Sequence, residues 1–373
     1  MKYYIIAGEA SGDLHASNLI AQLKKKDPEA QIRAWGGDMM RKQGAELVKH
    51  YRHMAYMGFV EVLLNLGAVL RNLKECKKDI LQYAPDVVIL VDYPGFNLRI
   101  AEFAHQQGFK VVYYISPQVW AWKRRRVKKI KKSVNKMLVI LPFEEDFYKD
   151  YEVDVAYVGN PLLDELSKLQ DSNRRNFLRR NNLGEKREII ALLPGSRKQE
   201  ISKMLEVMLK VIPRFPNYQF VIAGAPSMER EFYKKYMGNV DVSLVENQTY
   251  ELLQNASAAL VTSGTATLET ALLGVPEVVC YKGSPVSYSI AKRLVKVKYI
   301  SLVNLIMNKA VVKELIQNDL TEEKIVTELK QILTNPKRQK QILDNYDSLR
   351  GILGNSGASE KAAEEILYVL RHR

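Results

Sequence analysis

The chain has little sulfur to work with. Of its 373 residues only Cys76 and Cys280 are cysteines, far apart and with no His or Cys near them at metal-ligand spacing. That excludes a disulfide framework and gives no support to a zinc site or any other bound metal. Two idle thiols in a reducing cytoplasm is the plain reading. There is no low-complexity tract and no fixed-period repeat, and a composition of 47% hydrophobic and 26% charged residues is that of a folded chain, so disorder is excluded. No apolar run reaches the roughly 20 residues needed to span a bilayer. The greasiest stretch, 54–70, is broken by Glu61, Asn65 and two glycines. The first residues lack the basic region, apolar stretch and cleavage site of a signal peptide, so a cytoplasmic location is expected. Also missing are a Gly-x-Gly-x-x-Gly fingerprint and a P-loop lysine, which removes the best support for a dinucleotide enzyme or an ATP hydrolase.

What is present in excess is positive charge. Lys and Arg number 56 against 42 Asp and Glu, a formal net charge of +14. Such a balance favours a polyanionic partner, whether nucleic acid, phosphorylated small molecule or anionic lipid surface, without choosing among them.

The length fits two domains. Short apolar runs at 3–7, 32–35, 87–91, 111–115, 137–140 and 155–158 alternate with helix-period segments such as 14–26 and 98–107. Several of these runs lack inside/outside alternation, as strands of a parallel sheet covered on both faces do. After Gly159-Asn160-Pro161 and a polar, basic stretch, a second series follows at 189–193, 219–222, 241–244, 259–262 and 277–280. Beyond Thr321 the pattern is helical only. The expected architecture is α/β with two Rossmann-like, doubly wound domains facing a central cleft: 1–160, 161–335, and C-terminal helices at 336–373 able to pack back on the first domain.

In such folds ligands bind at the carboxyl ends of the strands, so the loops there carry the candidate chemistry. The first strand is followed by Gly8-Glu9-Ala10-Ser11-Gly12-Asp13, where small residues let backbone approach a ligand, or where Ser11 or Asp13 simply caps a helix. The run 87–91 ends in Asp92-Tyr93-Pro94-Gly95-Phe96-Asn97. Asp92 is the candidate general base, for a transfer to an alcohol needs a proton acceptor; the alternative is that Asp92 or Asn97 caps the next helix. Past the next strand come Ser116-Pro117-Gln118-Val119-Trp120-Ala121-Trp122, whose tryptophans either hold a sugar ring or acyl chain or pack in the core. In the second half, Pro194-Gly195-Ser196-Arg197 repeats the strand-to-glycine turn and adds a guanidinium suited to a diphosphate. The loop Ser263-Gly264-Thr265-Ala266-Thr267 opens a helix whose free N–H groups suit an anion, with Glu269 one turn deeper for ribose hydroxyls.

Taken together, these five motifs resemble the lipid-A-disaccharide synthase family along nearly the whole chain. Gly8–Asp13 and Ser116-Pro117-x-Val119-Trp120-Ala121-Trp122 are its most specific marks. The resemblance implies a GT-B fold and an inverting, metal-independent glycosyltransferase without a cofactor. It implies that UDP-2,3-diacylglucosamine is joined to 2,3-diacylglucosamine 1-phosphate through a β-1′,6 bond, releasing UDP. It further implies that Asp92 is the essential aspartate, that Gly195, Ser196, Arg197, Ser263, Gly264, Thr265, Thr267 and Glu269 hold UDP, that Asn304 lines the donor site, and that Glu9, Ser11, Gly12, Asp13, Asn97, Ser116, Gln118 and Trp120 belong to the acceptor side. One departure is visible: the family often has a second acidic residue after the proline, where this chain has Gly95. Another UDP-sugar enzyme of the same fold, such as a UDP-GlcNAc 2-epimerase, is the alternative; a nucleic-acid-binding module leaves the glycine loops unexplained.

A lipid substrate implies a membrane surface. Residues 123–132 include eight bases in ten, namely Lys123, Arg124, Arg125, Arg126, Lys128, Lys129, Lys131 and Lys132. Val127, Ile130 and Val134 recur at helical spacing beneath that cationic face. With apolar residues such as Phe59 and Leu63 in the 54–70 stretch, this helix is expected to hold the protein peripherally on the anionic inner face of the cytoplasmic membrane.

Overall fold

The computed structural model describes residues 1–54, 66–122, 126–283 and 298–372. It contains two compact units, one formed by Met1–Lys168 with Leu353–Arg373 and the other by Leu169–Ile352.

The first unit is a seven-stranded parallel sheet of β1 (Lys2–Ala7), β2 (Gln31–Gly36), β3 (Glu46–His50), β4 (Val87–Val91), β5 (Lys110–Tyr114), β6 (Lys136–Val139) and β7 (Val155–Tyr157), in the order β3-β2-β1-β4-β5-β6-β7. Alternate strand residues feed two cores. Tyr4, Ile6, Val88, Leu90 and Tyr113 pack with helices Leu66–Tyr83 and Pro94–Gln106 on one face. Tyr3, Ile5, Ile89, Val91 and Tyr114 pack with helix Ala10–Lys26 and the final helix Ala358–Arg371 on the other. Burial on both faces is why these strands read as unbroken apolar runs.

The second unit is a six-stranded parallel sheet of β8 (Glu188–Leu193), β9 (Tyr218–Gly224), β10 (Val242–Glu246), β11 (Ala256–Thr262), β12 (Glu277–Tyr281) and β13 (Lys313–Ile316), ordered β10-β9-β8-β11-β12-β13. In both sheets the strand order reverses once, between β1 and β4 and between β8 and β11. A ligand crevice opens at such a reversal, because the flanking connections leave to opposite faces.

Two strands escape the sequence pattern, β3 and β13, and both are sheet edges. An edge strand is half-covered and tolerates charge. No residue of β3 is fully buried, and only Leu315 is buried in β13.

The domain boundaries also differ from expectation. Helix Pro161–Leu166 belongs to the first unit: the Asp164 carboxylate accepts from the backbone N–H groups of Gly357, Ala358 and Ser359, at 2.5, 3.1 and 2.9 Å, and so caps the final helix. A cap of this kind stabilises a helix by about 0.5–2 kcal/mol. Residues 336–352, in contrast, belong to the second unit. There Tyr346 is fully buried and donates to Val275 O at 3.3 Å, while Arg350 and Arg338 reach Leu272 O and Val311 O, each at 2.8 Å. Apolar spacing marks a helix's buried face but not the sheet that face meets.

Candidate active site

The four strands flanking the two reversals, β1, β4, β8 and β11, are followed by four of the loops singled out in the sequence. In the first unit the chain leaves β4 through two consecutive left-handed residues that are not glycine, Asp92 (φ 45°) and Tyr93 (φ 49°), before Pro94 opens the next helix. Each such residue costs on the order of 1–3 kcal/mol and persists only where its surroundings hold it. Here the holding groups are visible. The Asp92 carbonyl accepts from Asn97 Nδ2 at 2.8 Å and from Tyr113 Oη at 2.5 Å. Asn97 Nδ2 also reaches Val91 O at 3.2 Å, and Asp92 N donates to Tyr114 O at 3.1 Å. Tyr93 donates to Met54 O at 2.9 Å, and its ring lies where a Cβ on Gly8 would be, 2.3 Å from that position. Gly8 is therefore required by close packing. Just past adjacent β5, Ile115 is left-handed too (φ 64°), a rare conformation for a β-branched residue. Backbone strain thus gathers at the carboxyl ends of β4 and β5.

Other residues expected on the acceptor side are turned inward. Asp13 is buried, and its carboxylate accepts from Gly37 N (2.8 Å), Met39 N (3.1 Å) and Met40 N (3.1 Å), so it caps helix Asp38–Lys42. Gly12 is buried against Ala7. Asn97 is fully buried and meets backbone. Trp120 is only 7% exposed; its indole N–H donates to Glu144 Oε1 at 3.0 Å and its ring meets Phe143 edge-on. Of the two fates open to Trp120, packing is the one observed. Ser116 pairs with Tyr148 Oη at 2.7 Å in the same buried polar group, where burial pushes the Glu144 carboxyl up to about 7. Ser11 and Gln118 are exposed, and Glu9 and Asp92 half-buried. Lys123, Arg124, Arg125, Phe59 and Leu63 lie outside the described residues. On helix Val127–Ser133, Val127 and Ile130 are buried and Lys128, Lys129, Lys131 and Lys132 exposed. Lys129 pairs with Glu102 at 2.9 Å and Lys131 with Glu152 at 2.5 Å. Arg126 is half-buried at the helix start.

In the second unit the turn after β8 is left-handed at Gly195 (φ 114°), where a side chain would press on Glu200 and Thr262. Beyond it Ser196 and Arg197 are exposed. The Arg197 guanidinium, 57% exposed, makes one long contact with Glu200 at 3.4 Å, an ion pair contributing no more than about 1 kcal/mol. Past β11, Gly264 and Thr265 are exposed at the start of helix Thr265–Leu272. Thr267 is buried and donates to Gly264 O at 2.8 Å, and Ser263 donates to Ile300 O at 2.9 Å; these two hydroxyls shape the loop. The carboxylate of half-buried Glu269 makes no hydrogen bond or ion pair among the described residues, and burial alone pushes it up to about 7.

Asn304 departs from its expected role as a ligand contact. It is 1% exposed. Its amide donates to Val312 O and Glu314 Oε1, both at 2.9 Å, while its oxygen accepts from Val311 N (2.8 Å) and Val312 N (3.0 Å). All four of its bonding positions are used within the domain. Glu314 completes the arrangement by accepting from Ser301 N and Ser301 Oγ, at 2.9 and 2.8 Å. Tyr113, Glu200 and Glu314 were not legible as site residues. Tyr113 reads as strand core, and Glu314 lies on the unrecognised edge strand.

Two Rossmann-like units with glycine turns at their strand reversals define an α/β protein of GT-B fold. Solved structures agree. The UDP-GlcNAc 2-epimerase from Neisseria meningitidis, bound to UDP-GlcNAc, superposes with a TM-score of 0.70 at 14% identity, covering 99% of this chain and 100% of that one. The glycotransferase of kitacinnamycin gives 0.64 at 13% identity, covering 98% of each. At such identities the likeness is one of fold. Residues 3–366 match the family described as lipid-A-disaccharide synthetase. Lipid-A-disaccharide synthase from Syntrophus aciditrophicus strain SB is 42% identical over 374 residues, covering 98% of this chain and 97% of that one; the protein of that name from Geobacter metallireducens is 38% identical over 372 residues, covering 98% and 96%. The chain belongs to the lipid-A-disaccharide synthase family, and it is a glycosyltransferase.

Proposed function

We propose that this enzyme transfers 2,3-diacylglucosamine from UDP to the 6-hydroxyl of 2,3-diacylglucosamine 1-phosphate. The products are the β-1′,6-linked disaccharide 1-phosphate and UDP. The observation that carries the chemistry is the clamped, left-handed Asp92 at the strand reversal of the first unit, because strain held at a ligand crevice marks a positioned group. Asp92 accepts the proton of the acceptor hydroxyl as its oxygen attacks the anomeric carbon. The sugar–phosphate bond breaks on the opposite face, which inverts the configuration. Negative charge then grows on the UDP phosphates, and Arg197 with the helix start at Thr265 stabilises it there, so that no metal ion or cofactor is assigned a part. Gly195, Ser196 and Gly264 let the phosphates approach backbone N–H groups.

Glu269 is assigned to the ribose hydroxyls, and its titration supplies a test. Lowering the pH from 8 to 6 carries a carboxyl that titrates near 7 from mostly ionised to mostly protonated, removing acceptor capacity. UDP is expected to bind up to about tenfold more weakly at pH 6, measured by titration calorimetry. Glu269→Gln binds weakly at both values and keeps only the titration of the UDP phosphate. Coincident pH profiles in the two proteins remove Glu269 from the ribose.

Among the described residues no helix is long and apolar enough to cross a membrane. The substrates carry acyl chains, and the exposed lysines of helix Val127–Ser133 suit an anionic leaflet at about 1 kcal/mol per base near the surface. The function and its setting are tested together. Mass spectrometry with the two diacylated substrates is expected to show the disaccharide 1-phosphate and stoichiometric UDP. Flotation with anionic vesicles is expected to weaken when Lys128, Lys129, Lys131 and Lys132 are neutralised. Release of UDP without the lipid acceptor overturns the reaction, and unchanged flotation overturns the role of the lysines.

A further inference from the structure

We propose that Tyr113 is a positioning residue for transfer: its hydroxyl, through the Asp92 carbonyl, fixes the direction in which Asp92 presents its carboxylate. This rests on Asp92 being the base. The two residues come from neighbouring strands, with Tyr114 paired to Val91 in the parallel register. Tyr113 is fully buried and donates across that register to the first residue beyond β4, at 2.5 Å. The accepting carbonyl belongs to the peptide that joins the left-handed pair Asp92 and Tyr93, so the bond acts on a peptide group directly attached to the Asp92 Cα.

Asn97 alone does not determine that peptide. Its amide is shared among Asp92 O at 2.8 Å, Val91 O at 3.2 Å and Ile6 O at 3.5 Å, so the Asp92 carbonyl does not have it to itself. Tyr113 is anchored in the sheet, on β5, within the buried cluster that also includes Leu90 and Val139. A second donor, fixed in the neighbouring strand, supplies the support that a base on a loop needs to be held within productive geometry. The hydroxyl is the only polar atom of an otherwise apolar strand side chain, and removing it leaves the carbonyl still bonded to Asn97, so Tyr113→Phe is expected to fold.

In Tyr113→Phe, kcat is expected to fall about tenfold while KM for the UDP-sugar and Kd for UDP stay within twofold. Amide hydrogen exchange across 92–97 is expected to quicken, with the amides of β5 itself unchanged. Adding Tyr113→Phe to Asp92→Asn produces no further loss, because a group acting through Asp92 has nothing left to position. Full turnover in Tyr113→Phe beside an inactive Asp92→Asn overturns the proposal and leaves the base assignment standing. So does unchanged exchange at 92–97, or an equal loss in the Asp92→Asn background. Full turnover in Asp92→Asn overturns the base assignment, and with it the proposal.

Discussion

Asp92→Asn is expected to bind UDP as the unaltered protein does and to turn over about a thousandfold more slowly, measured as disaccharide formed per enzyme under saturating substrates. Removing a positioned general base costs typically 10²–10⁴ in rate. Asparagine is the informative replacement because Asp92 sits at φ 45°. Asn tolerates the left-handed region, whereas other side chains add strain of about 1–2 kcal/mol there. Asp92→Ala is expected to lose as much turnover, with UDP binding again intact, since the proposed nucleotide loops belong to the other unit. Undiminished product in either variant removes Asp92 from the chemistry. A raised Kd for UDP would mean that the residue serves the donor.

The second large effect is expected at Arg197. Its guanidinium is exposed and spends little on Glu200, 3.4 Å away, so it is expected to exchange that contact for a diphosphate at small cost. A charge-assisted, forked contact contributes about 1.5–3 kcal/mol and strengthens as the leaving group gains charge. Arg197→Ala is therefore expected to lower kcat/KM by about a hundredfold and to weaken UDP in direct titration. Arg197→Lys is expected to recover part of the loss, since an ammonium supplies charge without the fork. An alanine variant with unaltered UDP affinity and kcat/KM would free Arg197 of any part in donor binding.

These two residues stand out as candidates in the sequence because both follow a strong strand signal and lie in loops, where a charged side chain has few structural reasons to be. Much else in the same motifs reads identically in sequence and differs in space. Asp13 and Asp92 are both carboxylates just past a strand in a glycine-bearing loop, yet Asp13 is consumed by three backbone N–H groups of a neighbouring helix. Asn304, expected at the donor site, is spent on residues 311, 312 and 314. Trp120 looked equally suited to a sugar and to a core until Glu144 and Phe143 took its two faces of interaction. Hydrogen-bond partners distant in sequence leave no local trace in periodicity.

The order of apolar runs and helical segments determined two parallel sheets, because strands buried on both faces must be continuously apolar and the helices between them must be amphipathic. It also determined the glycine turns, since only glycine leaves room beside the Tyr93 ring or accepts the conformation at Gly195. Tertiary structure alone decided which helix covers which sheet, where the edge strands β3 and β13 add on, and that a buried tyrosine on β5 donates to the backbone carbonyl of the aspartate beyond β4. Those outcomes depend on complementarity between surfaces brought together from remote parts of the chain, and no window of neighbouring residues contains both halves of such a contact.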